Sequence, residues 1–477
     1  MLWKKYIQDG SFLWFGLVLL IALCIAFLLP VVPEDYWWYV RVGQQTLTTG
    51  AIPATDSFTY SIFGQAIYYH SWGASVLFWL LYHWGGLTLT VLLRGLIVAV
   101  TYTFVWFTAR QTGAGRVGAA LVTLLAVLAS CNNWSIRPQL LTYPLFAAAI
   151  WILYRWQTGR TKTVWALPVL ALLWGNLHAS FVILLALIAA ALVFGSGDRK
   201  QLLWVTLAVL LALLVNPRGG HTYEYIVQLL VSPSNQQFSQ EWSPPVNQGW
   251  QMNLFFLWLL LYPLLAVFSP KKLSALEWCW FTGFGFLALW GLRYGIWFIL
   301  ILTVLTAQML APWEEKYWPS SRAENFTLNL ALPLLFIAST LAFLPGLREK
   351  WWPQAPAVTA NTPEAAVTWL EQHPDLPGPL FAEMGMASYL EFALPERPVW
   401  IDSRVFPFPT AMWQDYREIT TAAWDWQTAL DRTGANLLLV STAEQPKLVT
   451  VLDQSTQWCR LYADEVAEVY SRGACSR

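Results

Sequence analysis

Apolar residues fall along this chain in long blocks, most of about 18 to 22 residues, which is enough for a helix to cross a hydrocarbon core roughly 30 Å thick. The blocks lie near 12–32, 87–109, 117–131, 139–156, 163–177, 179–195, 200–215, 252–269, 274–291, 293–311 and 327–345. Gly175-Asn176-Leu177-His178 interrupts the 163–195 stretch with polar groups, so it reads as two helices and a turn. After Pro345 the pattern becomes that of a soluble chain. Thr362-Pro363-Glu364 opens a helix, with Pro at the first position and an acid in the first turn. Strands are predicted at 378–381, 398–401, 436–440, 458–463 and 466–470, with a helix near 424–432. The expected fold is mainly α, a transmembrane bundle of about eleven spans over 1–346 followed by a small α/β domain over 347–477.

Charge orients the bundle. Lys4 and Lys5 precede the first block and set the N-terminus inside. Alternation then predicts inside loops holding Arg110 and Arg116, Arg155, Arg160 and Lys162, Arg199 and Lys200, Lys271 and Lys272, and Lys316 and Arg322, each of them basic. The segment after 346 falls outside, an exported compartment in which Cys459 and Cys475 stand equally as a disulfide or as free thiols. The N-terminal block has a basic flank but no small-residue cleavage signal, and reads as a retained span.

Composition agrees: 57% of the residues are hydrophobic and 12% charged, against about a quarter charged in a soluble chain. Lys plus Arg equals Asp plus Glu at 28 each, so no net field points to nucleic acid. The 31 Trp, 19 Tyr and 26 Phe suit interfacial belts and packing.

On this topology the polar chemistry gathers outside. The first outside loop, 33–86, carries Glu34-Asp35-Tyr36-Trp37-Trp38, Asp56 and His70. Two adjacent carboxylates at headgroup depth are costly unless they have a partner or a task. Arg137, Asn176 and His178, Arg218 and His221, and Arg293 follow at other outside ends. The second large outside loop, 216–250, contains Glu241-Trp242-Ser243-Pro244-Pro245. Acid on one loop and base on several others, at one face, suits an anionic lipid headgroup; snorkelling is the bland alternative for each Arg. In the tail, Ile401-Asp402-Ser403-Arg404 reads first as an internal salt bridge.

Gly113-Ala114-Gly115-Arg116-Val117-Gly118 matches the GxGxxG dinucleotide fingerprint but follows an apolar span and not a βαβ strand, so it reads as a turn between helices. No Walker loop, HExxH or GxSxG is present.

Asp35-Tyr36-Trp37-Trp38, Gly43-Gln44, Pro53-Ala54-Thr55-Asp56-Ser57-Phe58-Thr59-Tyr60 and His70-Ser71-Trp72 resemble a recurrent bacterial pattern, and Arg137-Pro138-Gln139, Trp174-Gly175-Asn176-Leu177-His178 and Asn216-Pro217 continue the likeness. Through about residue 311 the chain resembles the GT-C class of membrane glycosyltransferases, the broad group similar to protein O-mannosyltransferases and the aminoarabinose transferase of lipid A. The resemblance implies a hexosyl or pentosyl transferase of the cell envelope, multi-pass in the cell membrane, taking sugar from a polyprenyl-phosphate donor to an acceptor glycan, lipid or protein. It implies Asp35 as base for the acceptor hydroxyl. Glu34 is the runner-up, because relatives often place Asp before Glu and here the order is reversed. Asp56, His70, Arg137, His178, Arg218, Arg293, Trp37 and Trp38 are the implied substrate-binding residues. It leaves a divalent metal open, since some members use one and others do not. Chemistry asks for the same parts: a base worth about 10²–10⁴ in rate, and fixed positive charge where phosphate leaves. Two other classes stay open, a lipid or solute transporter or flippase, whose charges would line a permeation path, and a catalytically idle subunit of a membrane complex.

Overall fold

The computed structural model describes residues 6, 7, 10–317 and 325–473; Lys4, Lys5, Arg322 and Cys475 lie outside the described residues. Cys459 is disulfide-bonded. The chain divides into two compact units, one of 1–29, 85–222 and 240–355 and the other of 30–84, 223–239 and 356–477. This division is not linear. The first loop and the segment 223–239 fold with the tail instead of with the helices that flank them.

The first unit is helical, and each of the eleven apolar blocks carries a helix. Six helices are long and apolar enough to cross a membrane among the described residues: Ser11–Leu28, Trp72–Gln111, Arg116–Asn133, Gly249–Phe268, Leu292–Tyr317 and Phe326–Phe343. The other blocks fold as shorter helices, Tyr143–Gln157, Leu167–Leu177, Val182–Phe194, Arg199–Leu213 and Ala275–Trp290. The helix Trp72–Gln111 breaks at Gly85 and Gly86, where one unit gives way to the other; Gly86 has φ 57° and ψ −146°, a conformation open to glycine alone at little cost.

Close packing here depends on small residues and satisfied polar groups. A Cβ on Gly16 would overlap Pro333, so the helices Ser11–Leu28 and Phe326–Thr340 meet at backbone distance. The last carbonyls of Ser11–Leu28 are capped by two buried cations. Arg94 donates to the oxygens of Ala26, at 2.7 Å, and Leu29, while Arg348 donates to that of Phe27 at 2.8 Å. Positive charge at a helix C-terminus complements the macrodipole and satisfies carbonyls that the helix cannot bond itself.

The GxGxxG turn has a structural use. It leads into the helix Arg116–Ser130, whose free amides at Val117 and Gly118 donate to Glu314 Oε1 at 3.0 and 2.9 Å. A Cβ at Gly115 or Gly118 would collide with that carboxylate. The anion at this helix N-terminus is thus an internal side chain.

The second unit holds a four-stranded sheet, β1 (Leu380–Ala382), β2 (Leu437–Ser441), β3 (Trp458–Ala463) and β4 (Ala467–Arg472), in the order β1-β2-β4-β3, with β1 parallel to β2 and the other pairs antiparallel. Strands β1 and β2 are buried at every position, because helices and the first loop cover both faces. Five strands were expected; the 398–401 segment makes only single bridges, Val399 pairing with Thr59 and with Leu380. It is a connector: Tyr60 N–H donates to Val399 O at 2.9 Å and Trp400 N–H to Leu380 O at 3.1 Å, which ties the first loop to the sheet edge.

Candidate active site

Asp35 opens the helix Asp35–Thr49, with Glu34 at its N-cap and Gly50 closing it in the left-handed region at φ 69°. An acid in the first turn suits the helix dipole. The helix lies tightly against the start of Trp72–Gln111, since a Cβ on Gly43 would overlap the Ser75 carbonyl. That is the physical reason for glycine in the Gly43-Gln44 motif.

Asp35 is half-buried and accepts two hydrogen bonds on Oδ1, from the Ser403 hydroxyl at 2.5 Å and from Trp38 Nε1 at 3.3 Å. Glu34 approaches the N-terminus of the helix Met384–Ala393, where a Cβ on Gly385 would stand 3.5 Å from its Cγ. Glu383 caps that helix by accepting from the amides of Gly385 and Met386, both at 2.9 Å. Burial raises the Glu383 carboxyl above its ordinary range, against the pull of those two amides, and Glu34 adds to the rise.

Behind Asp35 lies a buried ionic cluster. Arg404 donates from Nε to both Asp402 oxygens at 2.9 Å and from Nη1 to the Tyr69 hydroxyl at 2.7 Å, and its Nη2 lies 2.8 Å from Asp56 Oδ2 and 3.7 Å from Glu391 Oε1. Its guanidinium carbon sits 5.1 Å from the Phe58 ring centre and 5.9 Å from those of Trp38 and Tyr69. Full ionisation would leave three carboxylates against one cation in a dry site, which low dielectric penalises heavily. The titrations divide accordingly. Burial and then the negative Asp402 push Glu391 well above the ordinary carboxyl range, whereas Asp402, despite its burial, is held below it by Arg404. Burial works against the Arg404 charge, but Asp402, Tyr69 and Glu391 more than restore it.

The sequence-predicted residues divide between the units. Glu34, Asp35, Trp37, Trp38, Asp56 and His70 belong to the second. Asp56 is fully buried: its Oδ1 accepts from the amides of Phe58 and Thr59 and from the Thr59 hydroxyl, which fixes the turn of the Pro-x-x-Asp-x-Phe motif. Trp37 is buried among Tyr82, Tyr389 and Phe392, and Trp38 packs with Val42, Phe58 and Tyr69. His70 is buried and stacks on Tyr225 at 5.7 Å.

Arg137, His178, Arg218 and Arg293 belong to the first unit. The structure brings Arg137 and Arg293 to one short segment, Gln240–Trp242: Arg137 ion-pairs with Glu241, and Arg293 lies over the Trp242 ring at 4.6 Å. Gln139 also donates to the Arg293 carbonyl at 3.2 Å. His178 closes the helix Leu167–Leu177, its Nδ1 accepting from the Ser180 amide at 3.1 Å. Arg218 is exposed, with its amide bonded to Asn216 Oδ1 at 2.9 Å.

Sequence reasoning missed Ser403, Ser388 and Glu391 as neighbours of the site. The polar run 401–404 was the available signal, and its Asp402–Arg404 pair is present, enlarged by Asp56 and Glu391. Among the described residues no group of three or more His, Cys, Asp or Glu is arranged to hold a metal ion. Where three carboxyls do converge, a guanidinium supplies the cation.

No protein-family model matches the chain, and no curated protein does. Solved structures do match. The archaeal oligosaccharyltransferase AglB from Archaeoglobus fulgidus, in complex with an inhibitory peptide and a dolichol-phosphate, aligns with a TM-score of 0.58 at 12% identity over 96% of this chain and 74% of that one. The Archaeoglobus fulgidus oligosaccharyltransferase in the apo form aligns at 0.57 and 12% over 99% and 75%. A third structure of that enzyme, tethered to an acceptor peptide containing the NVT sequon, aligns at 0.57 and 12% over 96% and 74%. The chain therefore has the GT-C fold of these membrane oligosaccharyltransferases, as the resemblance in its first loop implied.

Proposed function

We propose that this chain is a membrane glycosyltransferase that moves a sugar from a polyprenyl-phosphate donor to an acceptor hydroxyl, with Asp35 as the base. The observation that carries the reading is the GT-C likeness over 96% of the chain to an oligosaccharyltransferase solved with a dolichol-phosphate. Asp35 is held by two donors at the head of a helix, which suits a carboxylate that must keep one orientation through a reaction. Arg137 and Arg293, meeting at Glu241 and Trp242, are the cations for the donor phosphate. Asp56, Trp37 and Trp38 then act by supporting the site from within the fold.

The topology belongs to the same reading: eleven crossings, N-terminus inside, and the first loop and tail on the outer face. Its support is that all eleven apolar blocks are helices, six of them long and apolar enough to cross, and that the expected inside loops are basic.

The test is donor turnover by the full-length chain in lipid nanodiscs supplied with tritiated polyprenyl-phosphate hexose. Asp35→Asn should abolish release and transfer of the sugar while leaving the melting temperature unchanged. Full turnover by that variant would remove Asp35 as the base.

A further inference from the structure

The tail touches the candidate base directly. Ser403 and Asp35 both lie in the second unit, and the Ser403 hydroxyl donates to Asp35 Oδ1 at 2.5 Å. We propose that Ser403 is a positioning residue for Asp35, so that the tail supplies part of the site and is not an appendage to it. This rests on the assignment of Asp35 as the base.

Three observations set Ser403 apart from a chance contact. Its neighbours on both sides, Asp402 and Arg404, are buried in the ionic cluster, so the backbone that carries its side chain is pinned at two adjacent points. Its own amide donates to Ser388 Oγ at 3.4 Å, and the two hydroxyl oxygens stand 2.9 Å apart. With the Ser403 proton directed at Asp35, its oxygen can only accept at the Ser388 contact, where the Ser388 proton also has the Met384 carbonyl at 3.3 Å as an acceptor. Trp38, one turn along from Asp35, donates to the same oxygen. Both donors address Oδ1, and together they restrain the rotation of the carboxylate plane. A base misplaced by about 1 Å loses up to 10²-fold in rate.

The Ser403 side chain reaches a carboxylate that would act on the acceptor, so its loss should lower kcat and leave the KM for the donor unchanged. The experiment uses the full-length chain in nanodiscs with tritiated polyprenyl-phosphate hexose, and compares Ser403→Ala, Ser403→Thr and Asp35→Asn. Ser403→Ala should lower kcat by about 10- to 100-fold with an unchanged melting temperature, and Ser403→Thr, which keeps the hydroxyl, should restore most of it. Wild-type kcat in Ser403→Ala beside an inactive Asp35→Asn would overturn the positioning role alone. Equal loss in the Ala and Thr variants with a lowered melting temperature would make Ser403 merely structural and would overturn it too. Turnover by Asp35→Asn would dismiss the base assignment and this inference with it.

Discussion

The guanidinium of Arg404, in the tail, stands 2.8 Å from the carboxylate of Asp56, in the first loop. Both side chains are buried, and the bond joins segments at opposite ends of the sequence into one folded unit. Removing one partner of such a pair leaves the other charge in a dry site, at a cost of about 3–5 kcal/mol. Arg404→Met should therefore lower the stability of the second unit by that order. Arg404→Lys should recover little, because a lysine cannot reproduce the forked contacts to Asp402 while also reaching Asp56 and Tyr69. Urea unfolding followed by the fluorescence of Trp38 and its neighbours measures both; a Lys variant as stable as the wild type would show that charge alone suffices.

Burial of Glu391 beside Asp402 gives the cluster a pH dependence. Its folded carboxyl titrates well above the ordinary range because of burial and the adjacent Asp402, while in the unfolded chain it ionises near about 4.3. Between those values the unfolded state loses its proton first, so stability falls as pH rises through that window. Asp402, held below its ordinary range, acts in the opposite sense: its contribution is present above about 3.9 and is lost as pH falls through its folded value. Glu391→Gln should remove the first slope, raising stability at neutral pH and leaving the acid limb in place. Melting curves at a series of pH values from 3 to 8 test this, and a Gln variant that is less stable at neutral pH would contradict it.

Much of this architecture was legible in the chain because the membrane imposes a simple code. Every one of the eleven apolar blocks became a helix, and six of those helices are long and apolar enough to cross a membrane, where backbone polar groups have to be satisfied within the segment. The tail was read less well. The helices Met384–Ala393, Thr410–Thr420 and Pro446–Asp453 are too short for periodicity to stand out, and the 398–401 run has the pattern of a strand because Val399, Trp400 and Ile401 are β-formers. At the site, Glu34 and Asp35 were visible as acids crowded beside tryptophans. Ser403 was not, because its proposed role comes from a contact with a residue far away in sequence, and a serine carries no local mark of that. Asp56 looked like a ligand residue for the same reason: a carboxylate in a motif signals a partner but does not say whether the partner is substrate or Arg404.

The GxGxxG turn offers a test in the other unit. At most helix positions a Gly→Ala change stabilises, by up to about 1 kcal/mol, and Gly283, whose Cβ would meet nothing within 4 Å, should behave in that way. Gly118→Ala should do the reverse, because the new methyl displaces Glu314 from the amides of Val117 and Gly118. Glu314→Ala should cost about 1 kcal/mol, the usual size of a lost N-terminal cap. Thermal melts of the three variants in detergent read the signs. A stabilising Gly118→Ala would mean that the carboxylate is not held there.

The Arg137–Glu241 pair bears on how a donor phosphate would be received. In this structure one of the two proposed phosphate cations is engaged by an internal carboxylate, with the Arg137 and Glu241 side chains 24% and 38% exposed. A lipid phosphate must then compete with Glu241 for Arg137. Partial exposure keeps the pair weak, about 0.2–1 kcal/mol, so Glu241→Gln should lower the donor KM by a few-fold at most, whereas Arg137→Ala should raise it. Salt separates this from a change of shape. At 1 M ionic strength the screening length falls to about 3 Å, and the difference between Glu241→Gln and wild type should shrink toward nothing if it is electrostatic. A difference that persists at high salt would show that the Glu241 side chain acts through the packing of the Gln240–Trp242 turn and not through its charge.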